Sequence, residues 1–375
     1  MIYLDNAATT YPKPEEVYLE LDKANRNAFN TGRGSYKVAR EASVMKEEVR
    51  KKILKLNNIM HGKVVYTNSA TDALNHLIFG VDLKDGDNVY ISPFEHNSII
   101  RPLEELKNRI NIKIIILPFD KKTWLPDLEK IKNLFAVNNP KLILLSHISN
   151  VTGYILPYQE IFALASKYNA IHILDSSQGY GVVPITNLDN ISYIVFAGHK
   201  SLYASFGIAG YIKLKGDILK PNIFGGTGSD TMNSKMPTTV PDGYEAGSPN
   251  IVAICGLNAS IDWLNKHNVY NHEKELTHYL IDALKSIKNI KLFIPEKYDN
   301  IFGVISMAVD NYTSEDVGKI LDDEFDICVR TGYHCAPLVH EFIESMPYNG
   351  TVRIGLSHFT TKKEIDELIR SLKTL

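Results

Sequence analysis

Residues 141–177, KLILLSHISNVTGYILPYQEIFALASKYNAIHILDSS, decide the fold class of this chain. An apolar run opens the stretch, a segment of helical length follows, and a second run, IHILDSS, closes it. The residues ILL at 143–145, like IIIL at 114–117, are apolar at consecutive positions, as expected of strands that are covered on both faces. Two such strands joined by a helix predict parallel pairing within one sheet.

The alternation of strands and helices continues on both sides of this stretch. The other strand-like runs are KVVYT, NVYIS, IKIIILP, YIVFAG and IAGYIKL. We therefore predict an α/β fold whose large domain has a mostly parallel central sheet covered by helices. A helix from about residue 251 leads into a smaller α+β pattern that ends in TVRIGLS and KKEIDELIRSL. The predicted domains are 14–250, and 1–13 together with 251–375.

The composition limits the classes of protein to consider. The chain has 375 residues, 44% of them hydrophobic, and a formal net charge of -2, which argues against non-specific binding to nucleic acid or anionic membranes. No segment of the sequence approaches the roughly 20 apolar residues that span a bilayer, and the start MIYLDNAATTYPKP does not resemble a secretory signal. Three cysteines without a CxxC pair do not indicate a disulfide framework. We therefore expect a cytoplasmic protein with neither nucleic acid nor membrane as a partner.

Two polar residues, about 25 positions apart, end strongly apolar strands. Lys200 follows YIVFAGH, and Asp175 ends IHILD with Gln178 three residues later. Ligands of open α/β sheets gather at strand ends, and a desolvated lysine amine stays neutral and nucleophilic. A snorkelling surface lysine and a helix-capping aspartate are the structural alternatives. Together, however, the two residues meet the needs of pyridoxal 5'-phosphate (PLP), which requires a lysine for its aldehyde and an acid for its ring nitrogen.

Further polar residues follow other predicted strands. In YTNSATDALN, Ala70 and Thr71 open a helix, where free N–H groups form an anion site, although simple N-capping explains the sequence equally well. His96 and Asn150 each stand just past a strand. The guanidinium of Arg353 suits a substrate carboxylate or an ordinary ion pair.

The segment RTGYHCAPLVHE at 330–341 contains Cys335. A thiol in this setting is a metal ligand, half of a disulfide, a buried filler or a nucleophile. Cys335 and its neighbouring histidines lack a recognised zinc spacing, so we predict no metal site. Cys255 and Cys328 lie in apolar contexts that suit a structural role.

Eight segments in order resemble the PLP-dependent class V aminotransferase superfamily, and more narrowly the cysteine desulfurases. They are YLDNAATTYPKP, EHNSI, SNVTG, DSSQ, GHK, EAGSPN, RTGYHCAP and TVRIGLSHFTT, and they run from residue 3 to about residue 368. The short segment around Cys335 is similar to the desulfurases with a compact cysteine loop, a group that includes selenocysteine lyase-like enzymes. The resemblance implies a PLP-dependent transferase of fold type I that works as a homodimer.

The resemblance also implies roles for individual residues around the cofactor ring. Lys200 would bind PLP covalently, with His199 beside it. Asp175 would pair with the pyridine nitrogen, and Gln178 would donate to the phenolic oxygen. His96 would stack on the ring and help to move protons.

The phosphate and the substrate have implied partners too. Ala70 and Thr71 would bind the phosphate, and Thr227 would reach the partner subunit's phosphate site from the long irregular stretch at 224–250. Asn150 and Arg353 would hold the carboxylate of the substrate.

The implied reaction converts L-cysteine to L-alanine and transfers sulfur to Cys335 as a persulfide. That sulfur would pass to an acceptor protein for iron–sulfur cluster or thiocofactor assembly. His334 and Arg330 are the nearby candidates for stabilising the thiolate. The alternatives are a lyase acting on L-selenocysteine, another class V lyase or aminotransferase, and a non-catalytic sulfur-relay or scaffold protein.

Three residues depart from the pattern of the family. Ala197 stands where a phosphate-binding serine is usual, Tyr36 where a histidine follows GRG, and Thr360 where an asparagine is usual. One residue is also added after Lys200. The first departure bears on the strength of cofactor binding, and Tyr36 and Thr360 bear on substrate preference.

Overall fold

The computed structural model describes residues 1–27, 30–31, 34–216 and 219–375. Its strands are β1 (Ile2–Tyr3), β2 (Lys63–Thr67), β3 (Asn88–Ile91), β4 (Lys113–Ile116), β5 (Pro140–Ser146), β6 (Ile171–Asp175), β7 (Tyr193–Ala197), β8 (Ala209–Lys213), β9 (Ile290–Leu292), β10 (Val304–Val309), β11 (Ile327–Cys328), β12 (Arg330–Gly332) and β13 (Thr351–Gly355). Its α-helices are α1 (Glu15–Asn27), α2 (Lys37–Leu56), α3 (Ala70–Gly80), α4 (Asn97–Arg109), α5 (Leu128–Val137), α6 (Tyr158–Ala165), α7 (Ile251–Leu264), α8 (Val269–Lys285), α9 (Ser314–Phe325), α10 (Pro337–Phe342) and α11 (Lys362–Leu372).

A seven-stranded sheet, in the order β2-β8-β7-β6-β5-β3-β4, forms the centre of the molecule. Neighbouring strands from β7 to β4 pair in parallel. Strand β8 is antiparallel to both of its neighbours, β2 and β7, so the other six strands point the same way. The predicted α/β fold with a mostly parallel sheet is confirmed.

The consecutive apolar residues of β5 show why this sheet is buried on both faces. Ile143 and Leu145 pack into one apolar cluster with helices α2, α5, α6 and α7. Leu142 and Leu144 pack into another, with α3 and α4. Because side chains alternate between the two faces of a strand, an unbroken apolar run satisfies helices on both sides.

The smaller part of the fold is an antiparallel sheet in the order β12-β13-β10-β9. A third apolar cluster covers it with residues from α8, α9 and α11. Strand β1 pairs in parallel with β11, so the N-terminus joins this part of the fold. Both short strands escape sequence analysis because two residues carry no measurable periodicity.

Helix α7 bears on where a domain boundary would be drawn. Its residues Ala253, Leu257 and Ile261 pack into the apolar cluster of the large sheet, and it lies against α1 and α2. The division at residue 250 stays a prediction. Along the described ranges, no helix combines the length and hydropathy needed to cross a bilayer.

Candidate active site

The carboxyl ends of five aligned strands meet at one edge of the large sheet. β6 ends at Asp175 and β7 at Ala197, three residues before Lys200. Ser146, at the end of β5, is paired in register with Asp175. Strands β2 and β3 end at the same edge and lead into α3 and α4. Chain segments that are distant in sequence therefore converge here, as is usual for ligand sites of open α/β sheets.

One cavity at this edge is lined by most of the predicted cofactor-binding residues. Lys200 contributes to its wall together with Ala70, Thr71, His96, Asn150, Asp175, Gln178 and His199. The structure therefore brings eight of the predicted residues to one place. Arg353, Cys335 and Thr227 do not line this cavity.

The amine of Lys200 lies in an environment that favours its neutral form. Burial lowers the pKa of Lys200 to about 8, and the carboxylate of Asp175 opposes that shift. Arg353 and Arg330 lower it further. An amine with a pKa near 8 is nucleophilic close to neutral pH, as an attack on an aldehyde requires.

The carboxylate of Asp175 is oriented by its own turn. Its Oδ1 accepts hydrogen bonds from the backbone N–H and the hydroxyl of Ser177, and the residue is 7% exposed. A fixed acceptor at the cavity wall suits a protonated ring nitrogen. Ser177 itself lines the cavity but gave no separate signal in the sequence.

The N-terminus of α3 opens into the same cavity. Ser69 caps the helix by accepting a hydrogen bond from the N–H of Asp72, and the first backbone bond within the helix comes from Ala73 to Ser69. The N–H groups of Ala70 and Thr71 precede that bond, at the positions where a helix binds anions. The sequence allowed either an N-cap or an anion site here, and the start of α3 has room for both.

The imidazole of His96 is held neutral at the start of α4. Its Nδ1 accepts a hydrogen bond of 3.0 Å from the N–H of Ser98, so that its hydrogen is on Nε2. Burial lowers the pKa of His96 to about 3, and Lys200 lowers it further. A neutral ring offers a flat face for stacking without adding charge.

His199 is a second neutral imidazole beside the lysine. Burial lowers its pKa to about 3, again with a contribution from Lys200. Its ring stacks on Phe206 with centroids 4.6 Å apart. Its backbone carbonyl accepts hydrogen bonds from Thr10 and from Nζ of Lys13, which fixes the backbone next to Lys200.

The two predicted amides already have protein partners. Nδ2 of Asn150 donates to the carbonyl of His334 at 2.8 Å, which joins the cavity to the cysteine segment. Nε2 of Gln178 donates to the carbonyl of Ala7 at 3.0 Å, which joins it to the N-terminal segment. Each amide keeps one N–H for a further acceptor.

Arg353 lies on β13 and is 1% exposed. Its Nη2 is 2.6 Å from Oδ1 of Asp5, and its Nη1 donates to the backbone carbonyl of Asn150 at 3.0 Å. Burial lowers the pKa of Arg353, and Asp5 opposes the shift. The ion pair that the sequence left open is present, and the binding of a substrate carboxylate stays a prediction.

Cys335 is exposed, in contrast to Lys200. Its carbonyl accepts a hydrogen bond of 2.7 Å from the N–H of Asn97, the residue after His96. The loop is thereby docked beside the cavity while the sulfur stays accessible. Both His334 and Cys335 have positive φ angles, 45° and 58°, which sharply turn the chain between β12 and α10.

The two residues predicted to stabilise the Cys335 thiolate, Arg330 and His334, differ in their charge and in their contacts. Nη2 of Arg330 is 3.7 Å from the Cys335 sulfur. His334, by contrast, is 3% exposed, and burial lowers its pKa well below the ordinary value. Its Nε2 contacts the backbone carbonyl and hydroxyl of Thr351. Of the two candidates, the geometry favours Arg330 as the group that stabilises a thiolate.

The other two cysteines are free and half-buried, in α7 and β11. Burial raises the pKa of both thiols, Cys255 and Cys328. In the part of the chain that the structure describes, no group of three His, Cys, Asp or Glu side chains is placed to hold a metal ion.

Thr227 lies in a different cavity from Lys200. That cavity has a volume of about 300 Å³ and is also lined by Lys46, His76 and Glu245. A contribution of Thr227 to a partner's site would require a second subunit and stays a prediction.

The three departures from the family pattern fall in different settings. Ala197 is fully buried and lines the same cavity as Lys200. Tyr36 is 53% exposed at the start of α2. Thr360 is 4% exposed, and its hydroxyl accepts from the N–H of Ser357, so it supports a turn.

Sequence analysis missed several polar residues of the site. Ser98 and Ser146 line the cavity, and Glu95, which is fully buried, accepts hydrogen bonds from both the N–H and the hydroxyl of Ser146. Burial raises the pKa of Glu95 to about 7. Its position directly before His96 was the one available signal.

These residues fit PLP in three respects. An amine of lowered pKa, Lys200, suits the aldehyde. A fixed carboxylate, Asp175, suits the ring nitrogen, and the N-terminus of α3 suits the phosphate. The chemistry of this donor set is therefore compatible with the cofactor.

Comparison with known proteins agrees with this geometry. The family model described as aminotransferase class-V matches residues 2–368. A probable cysteine desulfurase of Methanothermobacter thermautotrophicus is 30% identical over 386 residues, covering 100% of this chain and 94% of the relative. One of Synechocystis sp. is 31% identical over 393 residues, covering 100% and 90%.

Solved structures agree as well. The apo structure of a cysteine desulfurase from Thermococcus onnurineus NA1 has a TM-score of 0.90 at 26% identity, covering 100% of this chain and 94% of that one. The family match and the full-length relatives both identify the family of this chain. The chain belongs to the aminotransferase class-V family, with cysteine desulfurases among its similar relatives.

Proposed function

We propose that this protein is a PLP-dependent cysteine desulfurase, which converts L-cysteine to L-alanine and retains the sulfur on Cys335. One observation carries the proposal: an exposed thiol is docked, through the Asn97 and Asn150 hydrogen bonds, beside a cavity that contains Lys200. A buried amine and an accessible sulfur in one site are what the removal of sulfur from an amino acid requires. Relatives named as cysteine desulfurases support the same activity.

The cavity residues would hold the cofactor. Lys200 would bind the aldehyde carbon, Asp175 would keep the ring nitrogen protonated, and Gln178 would donate to the phenolic oxygen. The neutral ring of His96 would stack on the cofactor. Ala70 and Thr71 would bind its phosphate at the start of α3, and Thr227 of a second subunit would complete the phosphate site in a homodimer. When bound, PLP withdraws electrons from the α-carbon of the substrate.

Three residues of this chain act on the substrate. Arg353 binds its carboxylate, with support from Asn150, and so orients the amino acid. Lys200, with a pKa of about 8, exists partly as a neutral amine at physiological pH. It is therefore suited to move a proton at the α-carbon.

Sulfur transfer requires the thiolate of Cys335. The thiolate attacks the sulfur of the substrate and a sulfur–sulfur bond forms. The bond between that sulfur and the β-carbon breaks, and its electron pair stays with the carbon, which takes up a proton. L-cysteine and the Cys335 thiol thus give L-alanine and a Cys335 persulfide, with atoms and electrons balanced.

The exposure of Cys335 fits delivery of this sulfur to an acceptor protein. The fate that we propose for it is iron–sulfur cluster or thiocofactor assembly in the cytoplasm. The same site would also accept L-selenocysteine. Its carbon–selenium bond is weaker, so its cleavage would depend less on Cys335.

The experiment incubates the protein with PLP, L-cysteine and a thiol reductant, and measures L-alanine and sulfide. A desulfurase yields both in equal amounts. A non-catalytic sulfur carrier yields neither, and a lyase of a different type yields another carbon product in place of alanine. Either of those results would contradict the proposal.

A further inference from the structure

The N-terminal segment runs alongside the strand that carries Arg353. Asp5 forms a parallel bridge with Gly355, and the N–H of Gly355 donates to the carbonyl of Leu4. A Cβ at Gly355 would lie 2.7 Å from the nitrogen of Ala7, so only glycine permits so close a passage. Arg353 and Gly355 are two residues apart on β13 and share a face. The segment therefore places Asp5 on the face where Arg353 lies.

The bonding of Arg353 leaves part of its guanidinium unused. Nη2 donates a hydrogen bond of 2.6 Å to Oδ1 of Asp5, and Nη1 donates one of 3.0 Å to the backbone carbonyl of Asn150. Among the described residues, Nε has no hydrogen-bond partner although Arg353 is 1% exposed. A buried N–H without a partner is unfavourable, and a carboxylate that binds one edge of a guanidinium would satisfy it.

The charges around Arg353 make a second anion favourable. Arg330 on β12 is paired with Arg353 on β13, and its positive charge lowers the pKa of Arg353. Within the described ranges, Asp5 is the one carboxylate that forms an ion pair with either of them. One negative charge for two positive charges leaves a net attraction for a carboxylate.

We propose that Asp5 is a positioning residue for substrate binding: it fixes Arg353 by Nη2 and leaves the donors around Nε to the carboxylate of the amino acid. This inference rests on the proposed role of Arg353 in binding the substrate. It adds a function for the N-terminal segment, which also holds Gln178 through the Ala7 carbonyl. Without Asp5, Arg353 would lose its fixed orientation, and its repulsion by Arg330 would be uncompensated.

The test uses two amines that differ in the carboxylate and contain no sulfur to transfer, L-alanine and ethylamine. Each is titrated into the PLP-loaded protein, and its dissociation constant is obtained from the visible absorbance of the bound cofactor. Asp5→Asn should weaken the binding of L-alanine about tenfold, as the loss of one hydrogen bond between charged groups would, and leave that of ethylamine unchanged. Asp5→Glu keeps the charge and should bind L-alanine more tightly than Asp5→Asn but less tightly than the wild type. If Asp5→Asn does not fold, Asp5→Glu is compared with the wild type in its place.

Two further variants serve as controls. Tyr3→Phe removes the hydroxyl that donates to the carbonyls of Asp5 and Thr9, so it loosens the segment without changing the charge. It should weaken L-alanine binding less than Asp5→Asn does and leave ethylamine binding unchanged. Arg353→Gln should weaken L-alanine binding more than Asp5→Asn does.

The possible contrary results are distinct. Tighter L-alanine binding in Asp5→Asn would show that Asp5 competes with the substrate, and equal weakening of both amines would show a merely structural role. Either result, or no change at all, overturns this inference. If Arg353→Gln also fails to separate the two amines, the proposed role of Arg353 is wrong as well. If neither amine changes the absorbance of the wild-type protein, the proposed function itself fails.

Discussion

The two nucleophiles of the site, Lys200 and Cys335, occupy opposite kinds of environment. Lys200 follows a fully buried strand of the large sheet, and burial lowers its pKa to about 8. Cys335 is exposed in a loop with positive φ angles, 3.7 Å from Arg330. The difference matches their proposed tasks. An amine must lose its charge to react, whereas a thiol that passes sulfur onward must be reachable by a partner.

The largest expected effect comes from replacing Lys200. Lys200→Ala should abolish the visible absorbance of bound PLP and reduce alanine formation by at least about a thousandfold, because the amine that binds the aldehyde is lost. Absorbance spectra after gel filtration measure the first effect. Lys13→Ala, which removes a neighbouring amine, should retain the absorbance. Retention of both absorbance and activity in Lys200→Ala would refute the role of Lys200.

Removal of the exposed nucleophile should separate cofactor binding from sulfur transfer. Cys335→Ser should keep the cofactor absorbance but form alanine from L-cysteine at least about a hundredfold more slowly, because a hydroxyl is a poor sulfur nucleophile. Cys328→Ser is the matched control and should be fully active. Unchanged activity of Cys335→Ser would rule out the persulfide route.

The lowered pKa of Lys200 should also give the site a defined pH dependence. Capture of PLP by the cofactor-free protein requires the neutral amine, so its rate should fall about tenfold per pH unit below the pKa of about 8. Stopped-flow absorbance measures this rate. Asp175→Asn removes a charge that raises the pKa of Lys200, so it should move the midpoint to lower pH. If the rate of PLP capture had its pH midpoint near 10, the amine of Lys200 would be solvated and its lowered pKa would be wrong.

The reactivity of the exposed thiol should depend more on Arg330 than on His334. Arg330→Gln should slow the alkylation of Cys335 by iodoacetamide about threefold to tenfold at neutral pH, because a cation close to the sulfur favours the thiolate. His334→Gln should change the rate less, since that imidazole is buried and neutral. The reverse order would assign the role to His334.

A similarly small effect is expected from adding a hydroxyl to the wall of the cavity. Ala197→Ser adds a hydroxyl beside the expected phosphate and should tighten PLP binding about fivefold, as one added hydrogen bond would. Equilibrium dialysis gives the dissociation constants. Ala209→Ser, at the paired position on β8, does not line this cavity and should give no tightening. Equal affinities in Ala197→Ser and the wild type would place the phosphate elsewhere.

The same comparison explains what could be predicted from sequence. The environment of Lys200 follows from parallel strands, because apolar runs predict a doubly covered sheet and their carboxyl ends must meet at one edge. Sequence analysis applied this reasoning to Lys200 and Asp175 without any knowledge of side-chain contacts, whereas the roles of His96 and Ala70 were implied by the family resemblance.

The surroundings of Cys335 and Arg353 could not be predicted in this way. Asp5 and Arg353 are 348 positions apart, and no periodicity in the sequence links an N-terminal segment to a strand near the other end. The cysteine loop is docked by the side chain of Asn150 and by the backbone N–H of Asn97, a bond that every residue type except proline can donate. Resemblance to a known family supplied these roles, and the structure supplies the contacts.

The most direct test of the account is mass spectrometry of the PLP-loaded protein after brief exposure to L-cysteine without reductant. The proposed persulfide mechanism predicts one additional sulfur atom, located on Cys335 and removed by a thiol reductant. An unmodified protein that nevertheless forms alanine, or additional sulfur on Cys255 or Cys328 instead, would contradict it.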